Sequence, residues 1–103
     1  MFGAAAGEAD PLEFEMGITH ADFFRIFPRL LEGGTLRRTA GEVIVAWADA
    51  RTLVVGLSAE HVRRIAGLRI PYVTLTLRFL GFSPLERRAF LTRFERAFQK
   101  GGG

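Results

Sequence analysis

Pro71-Tyr72-Val73-Thr74-Leu75-Thr76-Leu77-Arg78-Phe79-Leu80 decides how this chain is read, because Val73, Leu75, Leu77 and Phe79 alternate with Thr74, Thr76 and Arg78. A period of two over this length predicts a half-buried β-strand, with Pro71 as its first residue. Leu12-Glu13-Phe14-Glu15-Met16-Gly17-Ile18 repeats the pattern. There Leu12, Phe14, Met16 and Ile18 form one face, and Glu13 and Glu15 the other. Two further alternating sets, Val43/Val45/Trp47 and Leu53/Val55/Leu57, lie between them and suggest an antiparallel meander punctuated by Ala40-Gly41-Glu42 and Asp49-Ala50. Thr35 to Thr39 offers an extra short strand before Gly41.

Helical spacing appears in three places. Thr19, three residues before Asp22, resembles a capping box, and Phe23, Phe24, Ile26, Phe27, Leu30 and Leu31 follow at helical intervals until Gly33-Gly34. Pro28 inside that run should kink the helix or end it early. Ser58 reads as the N-cap of a short helix from Ala59 to Gly67, with Glu60 in its first turn and Val62, Ile65 and Ala66 as its inner face. Ser83-Pro84-Leu85-Glu86 combines an N-cap serine, a proline at the first helical position and a glutamate at the capping-box position. Leu85, Phe90, Leu91, Phe94 and Phe98 then mark an apolar face over about four turns, and the helix should end near Lys100.

The expected order is β-α-β-β-α-β-α, an α+β domain over residues 11–100 with a flexible lead at 1–10 and a flexible glycine tail at 101–103. This order resembles the split βαβ, or ferredoxin-like, arrangement with an added C-terminal helix. Most of the phenylalanines, Phe14, Phe23, Phe27, Phe79, Phe90, Phe94 and Phe98, fall at inward positions. Ile44, Ala46 and Val54 point the opposite way from the inward set of the meander. One open sheet with two helices cannot cover both faces, so either the C-terminal helix crosses to the second face or another subunit covers it.

Composition bounds the chemistry. At 103 residues the chain has room for one core. The absence of cysteine removes thiol nucleophiles, Cys-ligated zinc and iron–sulfur clusters. A pI of about 10.5 overstates a net charge of only +3. The distribution is more informative: residues 1–60 carry five Arg against nine acids, a balance of −4, and residues 61–103 carry nine basic residues against Glu86 and Glu95, a balance of +7. Such asymmetry permits a basic surface on the C-terminal elements, pairing between the halves inside one molecule, or head-to-tail docking of two molecules. No apolar stretch approaches the roughly 20 residues of a spanning helix, and no secretory leader is visible, so a cytoplasmic protein away from membranes is the default expectation.

The candidates for chemistry are few. His20 and His61 both fall at expected helix starts, and neither stands in a metal-binding spacing, so no metal or other cofactor is expected. Glu13 and Glu15 share one strand face, as an acid–base pair would, but the same spacing suits a solvated face or pairing with a cation such as Arg78. Arg37-Arg38, Arg63-Arg64 and Arg87-Arg88 are possible phosphate clamps, the last two doublets on helices. RNA-binding domains of the RRM type resemble the expected topology but display aromatic residues where this chain has Glu13 and Glu15, an anionic face that repels phosphate. The expected function is a small non-enzymatic binding or assembly module that forms a homodimer. The alternatives are a module binding nucleic acid or another anionic partner through its basic C-terminal helices, and a small enzyme with a site between subunits.

Overall fold

In the computed structural model, which describes residues 11–101, the strand around Leu75 runs through the centre of the molecule. The elements in chain order are β1 (Leu12–Met16), α1 (His20–Ile26), a 3-10 turn (Phe27–Leu30), β2 (Thr35–Thr39), β3 (Glu42–Ala46), β4 (Thr52–Leu57), β5 (His61–Ile65), β6 (Leu68–Leu80) and α2 (Pro84–Gly101). Every strand pairing is antiparallel, in the order β1-β6-β4-β3-β2, with β5 paired to the first part of β6.

The alternation around Leu75 has the consequence expected of it. Val73, Leu75, Leu77 and Phe79 are buried against the helices, and Val43, Val45, Leu53 and Val55 continue the same face across β3 and β4. Both helices lie on this face. Phe79 meets Phe90 of α2 at 5.9 Å between ring centroids, Phe14 of β1 stacks on Phe94 at 6.0 Å, and Phe23 of α1 stacks on Phe98 at 5.6 Å. Fully burying one such ring contributes on the order of 2–3 kcal/mol, so this aromatic layer is a large share of the apolar stabilisation.

The helix ends follow their local chemistry. The Thr19 hydroxyl accepts from the Asp22 amide at 3.1 Å, and Ser83 and Glu86 form a reciprocal capping box with contacts of 2.8 and 3.1 Å. Pro28 has no amide to give to Phe24, so α1 stops at Ile26 and the chain tightens into the 3-10 turn. Leu85, expected on the inner face of α2, is 73% exposed and lies off the phase set by Phe90, Phe94 and Phe98.

Five expectations are corrected. Residues 59–67 contain no helix: β5 and β6 form a hairpin around Ala66 and Gly67, whose φ angles of 51° and 82° suit a type I′ turn. Val62 and Ile65, read as an inner helical face, are each 50% exposed. Ser58 caps no helix; its hydroxyl accepts from the Thr74 amide at 2.8 Å and directs the chain out of β4. Pro71 lies inside β6 rather than at its start, opposite Val62 in the two-stranded part, where a missing amide is tolerated at an edge. Without the second helix the ferredoxin-like order is not obtained: the strands stand in the order β1-β6-β4-β3-β2, with β5 beside β6, which is not the order of that fold. The architecture is α+β, with a six-stranded antiparallel sheet and helices on one face. The short strand at 35–39 is present as β2. The lead at 1–10 and the last two glycines lie outside the described residues, and Gly101 closes α2.

Candidate functional site

Two surfaces are left over once the core is assembled. The first is the β5–β6 hairpin, an arm that extends beyond the ends of β1 and β4, which leave β6 at Val73 and Leu75 respectively. Five paired rungs carry it about 15 Å from the sheet. Because cross-strand partners share a face, one side of the arm presents His61, Tyr72, Arg63, Ile70, Ile65 and Leu68. Its other side presents Val62, Pro71, Arg64 and Arg69.

Residues 61–69 are all exposed. Leu68 is 63% exposed, and three of the four large apolar side chains that stand most open to solvent among the described residues belong to this arm. Single exposed apolar residues need no explanation, whereas a contiguous group of them does.

Electrostatically the arm is basic throughout. Residues 61–72 hold Arg63, Arg64, Arg69 and His61 and no acid. Arg63 reaches back to the sheet, where its guanidinium donates to the Glu15 carboxylate at 2.6 Å and lies 4.6 Å over the Tyr72 ring. The hydrogen bond to Glu15 raises the Arg63 pKa further above its ordinary value. Both partners are about half exposed, so the pair orients the base of the arm and adds little stability. Arg64 and Arg69 oppose each other in register and meet no carboxylate among the described residues.

The second surface is the sheet face turned away from the helices. Register places on it Glu13 and Glu15 from β1, Thr74, Thr76 and Arg78 from β6, Val54 from β4, Glu42, Ile44 and Ala46 from β3, and Arg37 from β2. Ile44 and Val54 are half-buried and sit side by side at its centre, with Arg78 and Arg37 at the two ends of that row. The C-terminal helix does not cross to cover this face.

The expected arginine doublets are separated. Arg63-Arg64 stands on the arm rather than on a helix. Arg87-Arg88 begins α2, beyond the opposite end of β6, and Arg37-Arg38 occupies the edge strand β2. Arg37 faces the open side, whereas Arg38 lies 3.7 Å over Phe24. Arg87 lies 5.5 Å over Phe79, and its Nε has no hydrogen-bond partner among the described residues. Arg69, adjacent in space to the Arg63-Arg64 pair, belongs to the basic cluster although it stands alone between apolar residues in the sequence.

The enzyme candidates are also dispersed. The His20 ring contacts the Ser58 carbonyl at 2.7 Å through Nε2, and its amide donates to Glu60 at 2.8 Å, so it ties α1 to the exit of β4. His61 stands on β5 rather than at a helix start and lies 5.3 Å from Tyr72. Glu15 is engaged by Arg63, not by Arg78. An open groove of about 450 Å³ between β1 and the last turns of α2 is lined by Phe14, Met16, Phe94 and Phe98, with Glu95 and Gln99 beside them. No cluster of three His, Asp or Glu side chains suited to a metal occurs among the described residues. Nor is any helix among them long and apolar enough to cross a membrane. The chain matches no family model, no curated protein and no solved structure with which it was compared.

Proposed function

We propose that this protein is a non-enzymatic binding and assembly module that acts as a homodimer, paired through the open face of its sheet. The observation that carries this reading is the placement of both helices on one side, which leaves the Ile44–Val54 row without a cover among the described residues. Antiparallel sheets tolerate one wet face, so the distribution of charge on this one matters.

Glu13 and Glu15 occupy the β1 edge and Arg37 the β2 edge, with Arg78, Val54, Ile44 and Glu42 between them. That arrangement is self-complementary. A two-fold axis along the strands stacks β4 on the partner's β4, so that Val54 meets its own copy. The same operation sets β1 over the partner's β2, bringing Glu13 within one same-face position of the partner's Arg37. Such charge matching favours one alignment of the two sheets over its alternatives.

Sedimentation velocity at concentrations from about one to several hundred micromolar tests the proposal. A dimer is expected, Val54→Lys should shift it to monomer, and Glu13→Arg should weaken it unless combined with Arg37→Glu. A wild-type chain that stays monomeric throughout, or a dimer indifferent to Val54→Lys, would overturn it.

A further inference from the structure

We infer that the β5–β6 arm is a DNA-binding element that enters the major groove of a B-form duplex. The arm meets the proposed dimer face through the Arg63–Glu15 pair, whereas Arg64 and Arg69 stand on the arm's other side. The arm adds no buried residue between 61 and 69, and it combines three features that disfavour an isolated hairpin. Its tip holds Ala66 at φ 51°, its middle sets Arg64 against Arg69, and its apolar side chains face solvent. Nothing in the packing of the described residues offsets these costs, whereas a partner would.

The chemistry narrows the partner to an anionic polymer. Three of the arm's four basic side chains are arginine, whose planar fork suits phosphate oxygens, and no acid interrupts them. Their placement narrows it further. Arg63 projects from one face of the arm, and Arg64 and Arg69 project from the other.

A flat anionic surface or an extended acidic peptide meets one face of a ribbon. A groove has phosphates along both walls and meets two. The major groove of B-form DNA, about 12 Å wide, admits a two-stranded ribbon of this kind. Ile65 and Leu68, paired at the tip, would then reach the base edges, where the thymine methyl is the matching contact. The exposed pair with Glu15 is weak enough for Arg63 to exchange it for a phosphate.

Fluorescence anisotropy of the full chain with a labelled 20-bp DNA duplex at 20–200 mM salt tests the inference. Binding should fall as salt rises, with a log–log slope near −2.7 if three phosphates are neutralised per arm. Arg64→Glu with Arg69→Glu should weaken it at least tenfold while leaving the circular dichroism spectrum unchanged. Arg87→Glu with Arg88→Glu should leave it within twofold. Glu15→Gln, which releases Arg63, should tighten it severalfold. An RNA duplex of the same length should bind several times more weakly, because its major groove is too deep and narrow for side chains to read.

Absence of binding at 20 mM salt and 50 μM protein would overturn the inference. So would equal affinity for the RNA duplex, equal loss in the helix variant, or arm-dependent binding only to phosphatidylserine vesicles. Because the Arg64/Arg69 reading does not involve the sheet face, the Val54→Lys monomer should still bind the duplex, with the slope of a single arm.

Discussion

Arg64 stands directly across the hairpin from Arg69, on the same face of a ribbon only two strands wide. Like charges in that relationship cost roughly 0.2–1 kcal/mol. Arg69→Glu should therefore raise the melting temperature at low salt by about 1–4 °C, an effect that fades by 0.5 M salt. Differential scanning calorimetry reads it, and a lower melting temperature would mean that the two cations are not in repulsion in the free protein.

The turn between them is the next place to intervene. Ala66 occupies a left-handed conformation that a type I′ turn reserves for Asn, Asp or Gly. Ala66→Asn should stabilise the hairpin by up to about 1 kcal/mol. Its local readout is trypsin, which should cleave after Arg64 and Arg69 more slowly; unchanged cleavage would show that the turn does not limit opening of the arm.

Within the core, Phe94 is 3% exposed, with Phe98 at 4.7 Å and Phe14 at 6.0 Å between centroids. Phe94→Ala should cost about 3–5 kcal/mol in urea denaturation. A loss below about 1 kcal/mol would mean that neighbouring rings close the space.

Gly34 is constrained by what approaches it rather than by its φ angle. A β-carbon there would lie 2.9 Å from both Cε2 and Nε1 of Trp47 and 2.9 Å from Val45 Cγ1. The indole cannot retreat freely, because its Nε1 donates to the Glu32 carbonyl at 3.0 Å and its ring meets Phe82 edge-on at 5.6 Å. Gly34→Ala should destabilise by about 1–3 kcal/mol and shift the emission of Trp47, the single tryptophan. An unchanged stability and spectrum would argue against this close approach.

Acid sensitivity should be slight and local. Arg51 Nε donates to both Asp49 oxygens, at 2.9 and 3.1 Å, and this side-chain bond leads the effects that lower the Asp49 pKa below 3.8. A carboxylate lowered in this way favours the fold above its unfolded pKa and loses that contribution as pH falls through the folded value. The pair is open to water, so no change is expected near neutrality and only the 47–51 turn should respond below about pH 4. Carboxyl-carbon NMR should show Asp49 titrating below the ordinary range, and Arg51→Ala should return it toward that range.

Much of this fold can be read from local chemistry. Alternation through Val73, Leu75, Leu77 and Phe79 identified the central strand, Ser83 and Glu86 marked the start of the long helix, and Gly33-Gly34 ended the first helical region. The misreading at 59–67 has a physical origin. Val62, Ile65 and Ala66 are spaced as on a helix, and over five residues a helical period and a strand period cannot be separated when neither face is buried. Gly67 flanked by Ile65 and Ile70 was the turn signal available there. The candidate site was legible only in its Arg63-Arg64 half. Arg69 lies between Leu68 and Ile70, and only the pairing of β5 with β6 brings it beside the others. The open sheet face was legible from Ile44, Ala46 and Val54, because their phase opposes the buried set.

β6 is one strand living in two environments. From Val73 to Phe79 its inward side chains are sealed, and from Leu75 to Leu77 it has strands on both edges, while from Leu68 to Tyr72 it has one neighbouring strand and no buried residue. Amide hydrogen exchange along this single element should therefore split near Tyr72. The inner amides should wait for global unfolding and the outer ones exchange through brief fraying. The arm can then rearrange against whatever it meets while the sheet that bears it stays closed.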